Sequence, residues 1–311
     1  MKKLMSIILA LIIVPATTTC AFSSPTAKLT AKVIDEAELP VAGAQVILSF
    51  SGAKIGDGGG LTSFGKEGLS DSDGLFSGSA ATLPLVGVVI DKKGYYRSIQ
   101  KYEFTSRSLL LNRWQPWNPT IEVVLKKIRN PVPMFEKGGK STPIPVFGEP
   151  VGYDLEKGDW VTPHGVGVIN DFVFNCKHNR VDFDNAEASC EIGFSNEMDG
   201  IQKFLFDEND QSYYKWPFEA PLDGYESSLY KWMTVHFPNE GYKSNIDDKI
   251  NYIFRVRTRT DGKGNIVSAN YGKISQDFLI SRKGKVKFHY YFNPDGTRNL
   301  EEDPDNNLFK K

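Results

Sequence analysis

The chain has 311 residues, of which 40% are hydrophobic and 24% are charged, a composition typical of a globular protein and not of a disordered one. Its 37 basic and 38 acidic residues give a net charge of −1 at pH 7, and the basic residues form no block in the sequence. Nucleic-acid binding by neutralisation of phosphates is therefore not expected. The length corresponds to about two domains.

The N-terminus has the pattern of a secretory signal peptide. Two lysines precede an apolar stretch at residues 5–14, and small residues follow from Ala16. The apolar stretch is too short for a permanent membrane helix, and no other segment is as apolar, so we expect no transmembrane helix in the mature chain. Cleavage after Ala21 predicts a signal peptide at residues 1–21, with a cut after Ala16 as the alternative. The protein is then exported, to the periplasm, the outer surface or the medium.

Cys20 offers a second route to the membrane. Lipoprotein signals end in a cysteine that becomes acylated, and Cys20 lies at a suitable distance from the N-terminal lysines. Residues 17–19 are all threonine, however, whereas lipoprotein signals carry Gly, Ala or Ser directly before the cysteine. Cleavage after Ala21 is therefore favoured, and lipidation at Cys20 stays open as the alternative.

Cys176 and Cys190 remain after this cleavage and are predicted to form a disulfide. An oxidising compartment and an even number of cysteines favour this pairing. The sequence around the two cysteines has the pattern of two antiparallel strands joined by a polar loop, which a disulfide would stabilise by about 3 kcal/mol. A zinc site would need more ligands than the nearby His164 and His178 provide.

Residues 26–128 are predicted to form a small β-sandwich. Strand patterns cover residues 27–34, 41–50, 86–90 and 120–125. Short strands at regular spacing, separated by Gly, Pro and Asp, are typical of such a fold, and no segment here has a helical period.

Three short motifs in this segment resemble those of carboxypeptidase regulatory-like domains. They are Pro-Val-x-Gly-Ala-x-Val at residues 40–46, Ser-Asp-x-x-Gly-x-Phe at 70–76 and Lys-Gly-Tyr at 93–95. The resemblance implies an immunoglobulin-like or transthyretin-like sandwich that accompanies other domains and carries no catalysis itself. The Asp at 71 and the Gly at 74 also resemble half of a calcium loop, but the acidic residue that would complete such a loop is missing, which favours a turn.

The second half of the chain is predicted to form an antiparallel β domain at residues 151–295. Residues 129–150 are rich in Pro, Gly and Lys, which predicts a linker, and residues 296–311 are predicted to form a polar tail. The clearest strand patterns cover residues 165–174, 191–194, 200–206, 230–237, 252–260, 266–274 and 285–292. This half resembles secreted bacterial proteins to which no activity is assigned. The predicted fold class is all-β, with two β-sandwich-like domains in tandem.

No catalytic or metal-binding motif stands out. The nucleophile motif Gly-x-Ser-x-Gly is absent, and the one cysteine that lies near a histidine, Cys176, is expected to pair with Cys190. The histidines are isolated along the chain, at His164, His178, His236 and His289. We therefore predict no catalytic residue, no metal and no cofactor.

An aromatic cluster supplies the candidate ligand-binding residues, Tyr213, Tyr214 and Trp216, in a segment where nearby prolines predict a loop. Exposed rings of this kind would stack on sugar rings. Buried, Trp216 and Phe218 would instead close one end of the sandwich, which is the commoner role of such residues.

These patterns predict a secreted or surface-associated, non-catalytic binding or structural protein. Its partner would be a glycan, another envelope protein or a host surface. The alternatives are a carbohydrate-binding protein or a secreted hydrolase acting on polysaccharide, which would need two carboxyl groups about 5–10 Å apart in the C-terminal domain.

Overall fold

The computed structural model describes residues 24–54 and 60–309, and every regular element in them is a β-strand. The predicted signal peptide and Cys20 lie outside the described residues. The chain divides into a first unit, Met1–Lys92 with Ser98–Val124, and a second unit, Lys93–Arg97 with Leu125–Lys311. Among the described residues, no helix has the length and apolarity needed to cross a membrane. The prediction of an all-β fold with two sandwich-like units is confirmed.

Two sheets form the described part of the first unit. Their strands are β1 Thr26–Asp35, β2 Gln45–Lys54, β3 Gly60–Leu69, β4 Leu75–Ala81, β5 Leu85–Asp91, β6 Ser98–Glu103, β7 Ser106–Ser108, β8 Arg113–Gln115 and β9 Thr120–Leu125. One sheet has the order β4-β1-β8-β7, with β9 also paired to β1, and the other has the order β3-β2-β5-β6. The glycine-rich stretch after β2 thus leads into a strand, β3, that pairs with β2 over its whole length.

The core of the first unit lies between these two sheets. In β1 the period-two pattern buries Ala27, Leu29, Ala31 and Val33 completely. Gly78 of β4 lies so close to β2 that a Cβ atom there would be 2.9 Å from a methyl group of Leu48. The two sheets are therefore in direct contact, as in a sandwich.

Two of the three resemblance motifs are hydrogen-bonded to each other. The buried Ser70 hydroxyl accepts a hydrogen bond from the Ala44 N–H at 2.9 Å and donates one to the Val41 carbonyl at 2.7 Å. This hydroxyl therefore fixes the segment before β2 against the turn before β4.

The turn that follows uses its acidic residue for the backbone. Asp71 Oδ1 accepts hydrogen bonds from the N–H groups of Asp73 and Leu75, at 3.0 and 2.8 Å. Gly74 has a φ of +75°, and a Cβ there would lie 2.3 Å from the Val33 carbonyl oxygen. Only glycine fits this position, and the Asp71 carboxylate caps the turn, as the sequence predicts.

The second unit consists of two larger sheets. Its strands are β10 Val132–Lys137, β11 Thr142–Pro143, β12 Pro150–Asp154, β13 Asp159–Trp160, β14 Phe172–Arg180, β15 Asn185–Gly193, β16 Gly200–Leu205, β17 Ser228–His236, β18 Gly241–Ser244, β19 Ile250–Thr260, β20 Ile266–Ser281, β21 Lys285–Asn293 and β22 Glu302–Asn307. The seven-stranded sheet has the order β16-β19-β20-β21-β10-β22, with β11 also paired to β21. The six-stranded sheet has the order β13-β12-β14-β15-β17-β18.

Aromatic side chains fill the space between these sheets. Phe172 of β14 meets Phe254 of β19 with ring centroids 5.2 Å apart, and Tyr153 of β12 meets Phe288 of β21 at the same distance. Both pairs have the edge-to-face geometry that aromatic rings prefer. The second unit is therefore a sandwich with a predominantly aromatic core.

Two segments that the sequence placed outside the second domain contribute strands to it. Residues 129–150, the predicted linker, contain β10 and β11, which pair with β21. Residues 296–311, the predicted tail, contain β22, which runs parallel to β10. The Glu301 side chain, 1% exposed, accepts the backbone N–H groups of Arg129 and Asn130, at 2.9 and 2.6 Å. These contacts hold both segments in the fold.

Candidate ligand-binding face

The aromatic cluster that the sequence singled out is mostly buried. Tyr214 and Trp216 are 3% and 8% exposed, whereas Tyr213 is 63% exposed. Buried rings offer no face to a ligand, so Tyr214 and Trp216 are packing residues and the exposed-platform hypothesis is wrong for them. Tyr213 alone of the three is open to solvent; the Arg97 guanidinium lies 6.0 Å from its ring centroid.

The buried rings surround a lysine. Lys273 of β20 is fully buried, and its Nζ lies 5.0 Å from the ring centroid of Tyr214, 5.2 Å from that of Trp216 and 5.1 Å from that of Tyr291. These distances are those of cation–π contacts. We call Lys273 with these three rings the lysine box.

Hydrogen bonds from the lysine box reach the last strand of the fold. The Lys273 ammonium donates to the Leu300 carbonyl at 2.7 Å and to the Glu302 carboxylate. Burial lowers the pKa of Lys273 to about 8, against the opposing effect of the Glu302 charge. The aromatic cluster therefore stabilises a buried cation within the fold.

An exposed aromatic pair lies elsewhere, on β17. Leu229, Met233 and Val235 are buried together with Lys231, and the residues that alternate with them point outward from the six-stranded sheet. The outward set includes Tyr230, which is 59% exposed, and the partly exposed Trp232. The sequence carried a signal for this orientation, because the aliphatic residues share one phase of the strand and the aromatic pair has the other.

Polar side chains of β14 and β15 lie beside this aromatic pair. Trp232 is paired in register with Ser189, and Ser189 with Lys177. Two residues further along the strands, Tyr230 is paired with Glu191, and Glu191 with Asn175. Because paired residues of adjacent strands share a face of the sheet, each aromatic residue has donors and acceptors of two strands next to it.

The other side of Trp232 continues the same pattern. Thr234 is paired with Glu187, and Glu187 with Asn179. We call the outward residues of β14, β15 and β17 the aromatic face: Asn175, Lys177, Asn179, Glu187, Ser189, Glu191, Tyr230, Trp232 and Thr234. The face contains a concavity of about 410 Å³ lined by Trp232, Tyr230, Lys177 and Glu187, among others.

A buried ion pair fixes the orientation of β17. Lys231, between the two exposed aromatic residues, points inward, and its Nζ lies 2.7 Å from Asp277 Oδ2. The other oxygen of Asp277 accepts a hydrogen bond from the Tyr252 hydroxyl at 2.7 Å, and burial raises the pKa of this tyrosine. Since β17 and the strand of Asp277, β20, belong to different sheets, the ion pair ties the aromatic face to the opposite sheet.

The predicted disulfide lies directly beneath the aromatic face. Cys176 of β14 and Cys190 of β15 are paired in register, with Cα atoms 4.0 Å apart, and their sulfur atoms are bonded. Both cysteines are buried on the inner side, and their neighbours Lys177 and Ser189 point outward. The bond therefore joins the two strands that supply most of the polar groups of the face.

Two deeply buried carboxylates of the second unit, Asp154 and Asp171, have all their partners within the described part of the fold. Asp154 accepts hydrogen bonds from four backbone N–H groups, which outweigh the effect of burial and lower its pKa. Asp171 forms a two-point ion pair with Arg257, at 2.7 and 2.8 Å, yet burial keeps its pKa raised. Both carboxylates are 1% exposed, so neither is open to a substrate.

Two carboxylates do lie on the aromatic face. Glu187 and Glu191 are four residues apart on β15, so their Cα atoms are about 13 Å apart. Glu187 also bonds His236, with Oε1 3.0 Å from Nε2.

Two of the remaining histidines have separate environments. The His178 ring stacks on Phe147, and His289 is hydrogen-bonded to Glu136 at 3.1 Å. Within residues 24–54 and 60–309, no three His, Cys, Asp or Glu side chains are arranged to hold a metal ion.

Comparisons with known proteins identify no family for this chain. No protein-family model matches it, so the resemblance to carboxypeptidase regulatory-like domains stays a prediction. No curated protein matches it either.

Some solved structures are similar to parts of this fold, at low scores. A 3-chlorocatechol 1,2-dioxygenase from Rhodococcus opacus has a TM-score of 0.26 and 14% identity, over 34% of this chain and 61% of that one. A streptococcal ancillary pilin has a TM-score of 0.21 and 13% identity, over 81% of this chain and 59% of that one. The major pilin subunit of Bacillus cereus has a TM-score of 0.23 and 12% identity, over 89% of this chain and 100% of that one. This chain thus spans about three fifths of the dioxygenase and of the streptococcal pilin. TM-scores of this size carry no functional argument.

Proposed function

We propose that the protein is an exported, surface-associated binding protein whose ligand is a glycan, bound on the aromatic face of the second unit. One observation carries this proposal. Tyr230 and Trp232 point outward from a sheet whose neighbouring strands present amide, hydroxyl, ammonium and carboxylate groups. Ring faces with a few polar groups at fixed positions are the usual elements of a ligand site.

The chemistry of a sugar matches both elements of the face. The C–H surface of a sugar ring packs on an aromatic plane, and its hydroxyl groups both donate and accept hydrogen bonds. Tyr230 and Trp232 are separated by one residue on a strand, which places their Cα atoms about 7 Å apart. This spacing suits two neighbouring rings of a sugar chain better than a single small molecule.

The rigidity of the face supports binding without a large ordering cost. Asn175, Ser189 and Trp232 lie on regular strands, and the Cys176–Cys190 bond and the Lys231–Asp277 ion pair hold these strands from beneath. A preformed surface loses little conformational entropy when a ligand binds.

Export and attachment to the surface are part of the same proposal. The N-terminal pattern of a signal peptide and the disulfide both fit a compartment outside the cytoplasm. The first unit, with its resemblance to accessory sandwiches, would then carry or space the binding unit.

The test is a glycan-array measurement on the mature chain, followed by titration of the best ligand. We expect Trp232→Ala and Tyr230→Ala each to weaken binding about tenfold to hundredfold, because each removes a stacking plane. Tyr213→Ala is the matched control, since it removes an exposed ring away from the face and is expected to leave the affinity unchanged.

A further variant separates binding from folding. Trp216→Ala empties part of the lysine box and is expected to lower thermal stability, whereas Trp232→Ala is expected to leave it nearly unchanged. Binding that survives Trp232→Ala and Tyr230→Ala together would overturn the assignment to this face. The absence of binding to any glycan would favour an envelope protein as the partner.

A further inference from the structure

Three consecutive leucines stand in solvent at one tip of the first unit. Leu109, Leu110 and Leu111 lie in the turn between β7 and β8 and are 81%, 94% and 54% exposed. Single exposed leucines are common, but three in a row at a hairpin tip form an apolar projection that solvation alone does not favour. We call these residues the leucine tip.

Hydrogen bonds hold the backbone of the leucine tip in place. The Arg107 guanidinium donates to Asn112 Oδ1 at 2.6 Å, and the Leu111 N–H donates to the Ser108 hydroxyl at 3.4 Å. Asn112 takes a φ of +44°, which closes the turn. The leucines therefore project from a defined hairpin.

The groups flanking the leucine tip are cationic and aromatic. Residues 104–120 contain two arginines, Arg107 and Arg113, and no acidic residue. The Arg113 guanidinium lies 4.9 Å from the ring centroid of Trp117, which is 37% exposed. An apolar end bordered by arginine and tryptophan is the composition of segments that lie at a membrane surface.

The start of the first strand lies beside the same tip. The Thr26 N–H donates to the Asn112 carbonyl at 3.0 Å, and Thr26 is paired in parallel with Arg113. The N-terminal end of β1 and the leucine tip are thus at one end of the unit. The leucine tip therefore lies at the end of the first unit where the described chain begins its first strand.

We propose that the leucine tip docks on the surface of an anionic phospholipid bilayer. Leu109, Leu110 and Leu111 enter the acyl boundary, and Arg107 and Arg113 contact lipid phosphates. Trp117 lies at the level of the headgroups. This inference is independent of the glycan proposal, because it concerns the first unit alone.

The test is sedimentation of the mature chain, residues 22–311, with vesicles of phosphatidylglycerol and phosphatidylcholine and with vesicles of phosphatidylcholine alone. We expect binding to the anionic vesicles, weakened at least about hundredfold in the triple variant Leu109→Ser, Leu110→Ser, Leu111→Ser. The matched control is Leu39→Ser, Leu205→Ser, Leu222→Ser, whose leucines are 60%, 63% and 69% exposed. This control is expected to bind like the unaltered chain.

The arginines and the tryptophan give separate readouts. Arg107→Gln with Arg113→Gln is expected to remove the preference for anionic vesicles, and quenching of tryptophan fluorescence by brominated lipid is expected to fall in Trp117→Phe. Binding that survives the triple serine variant would overturn the proposal. So would failure of the unaltered chain to bind anionic vesicles, including the case in which the leucine tip joins two copies of the protein instead.

Discussion

At the scale of single residues, the lysine box shows how a buried charge changes the interpretation of a sequence cluster. Tyr214 and Trp216 were candidates for sugar stacking because nearby prolines predict a loop, although burial was the commoner role of such rings. Their actual partner, Lys273, is about 60 residues away and lies on a strand where lysine usually points to solvent. No local pattern connects the three residues, so the cluster could not be placed from the sequence.

The pKa of Lys273 leads to a prediction about stability. In the unfolded chain this lysine has the ordinary pKa of 10.5, and in the fold it has a pKa of about 8. Between these two pH values the unfolded chain binds one more proton than the fold, so stability rises with pH in this window. The contribution is about 3 kcal/mol across the whole window.

Lys273→Met isolates this contribution, because methionine has a similar length and no charge. We expect the difference in free energy of unfolding, unaltered protein minus variant, to increase by about 3 kcal/mol from pH 8 to pH 10.5 and to be constant below pH 7. Urea unfolding at a series of pH values measures it. Parallel stability curves for the two proteins would contradict the prediction.

At the scale of elements, β17 shows that alternating residue types predict a strand but do not decide which of its two sides is buried. The sequence predicted a strand at residues 230–237, and the structure has one at Ser228–His236. Which side would face the core depended on whether the aromatic or the aliphatic phase was buried. The inward Lys231 obscured the pattern, because a lysine among buried residues is unusual unless it has a partner.

The Lys231–Asp277 pair supports a prediction about β17. Lys231→Ala leaves the buried Asp277 without its cation and is expected to destabilise the protein by about 3–5 kcal/mol. The double variant Lys231→Met, Asp277→Asn removes both charges. Its loss in free energy of unfolding is expected to be smaller than the sum of the losses in Lys231→Met and in Asp277→Asn, which a double-mutant cycle in urea measures. Additive costs would mean that the ion pair does not couple the sheets.

At the scale of the whole molecule, the sequence predicted the class of fold better than the membership of its strands. The hairpin of β19 and β20 and the two-unit organisation follow from alternation and turn residues. The strand β10 was placed in a linker because its segment is rich in Pro, Gly and Lys, and β22 was placed in a tail because its residues are polar. They pair with each other across about 170 residues of chain, and short-range patterns do not report such pairing.

The second unit also takes five residues, Lys93–Arg97, from a point between two strands of the first. Among them, the Tyr96 ring stacks on Tyr214 at 4.7 Å, and its hydroxyl donates to Glu301 at 2.8 Å. Burial, together with this hydrogen bond, raises the pKa of Tyr96. A fragment that begins at Leu125 would therefore lack part of the packing of the second unit.

Tyr96→Phe tests how far the second unit depends on Tyr96, because the change removes only the hydroxyl oxygen that bonds Glu301. We expect a loss of about 2 kcal/mol, since the Glu301 carboxylate loses one of its donors while buried. The loss should be visible as faster amide hydrogen exchange in peptides from residues 125–309. Tyr95→Phe is the control, because in the described part of the chain no hydrogen bond of the Tyr95 hydroxyl is found; equal effects of the two changes would contradict the prediction.

The bond between Cys176 and Cys190 has a mechanical consequence. If a ligand bound on the aromatic face is pulled, tension passes along β14 and β15. The disulfide between Cys176 and Cys190 then transmits this tension directly from one strand to the other. Residues 177–189 lie within the loop that this bond closes, and they include Lys177, Asn179, Glu187 and Ser189 of the aromatic face, so force applied to them reaches the rest of the chain at the bonded pair. The two strands cannot separate beyond this point under force, so the part of the face that they carry keeps its structure while a ligand is pulled.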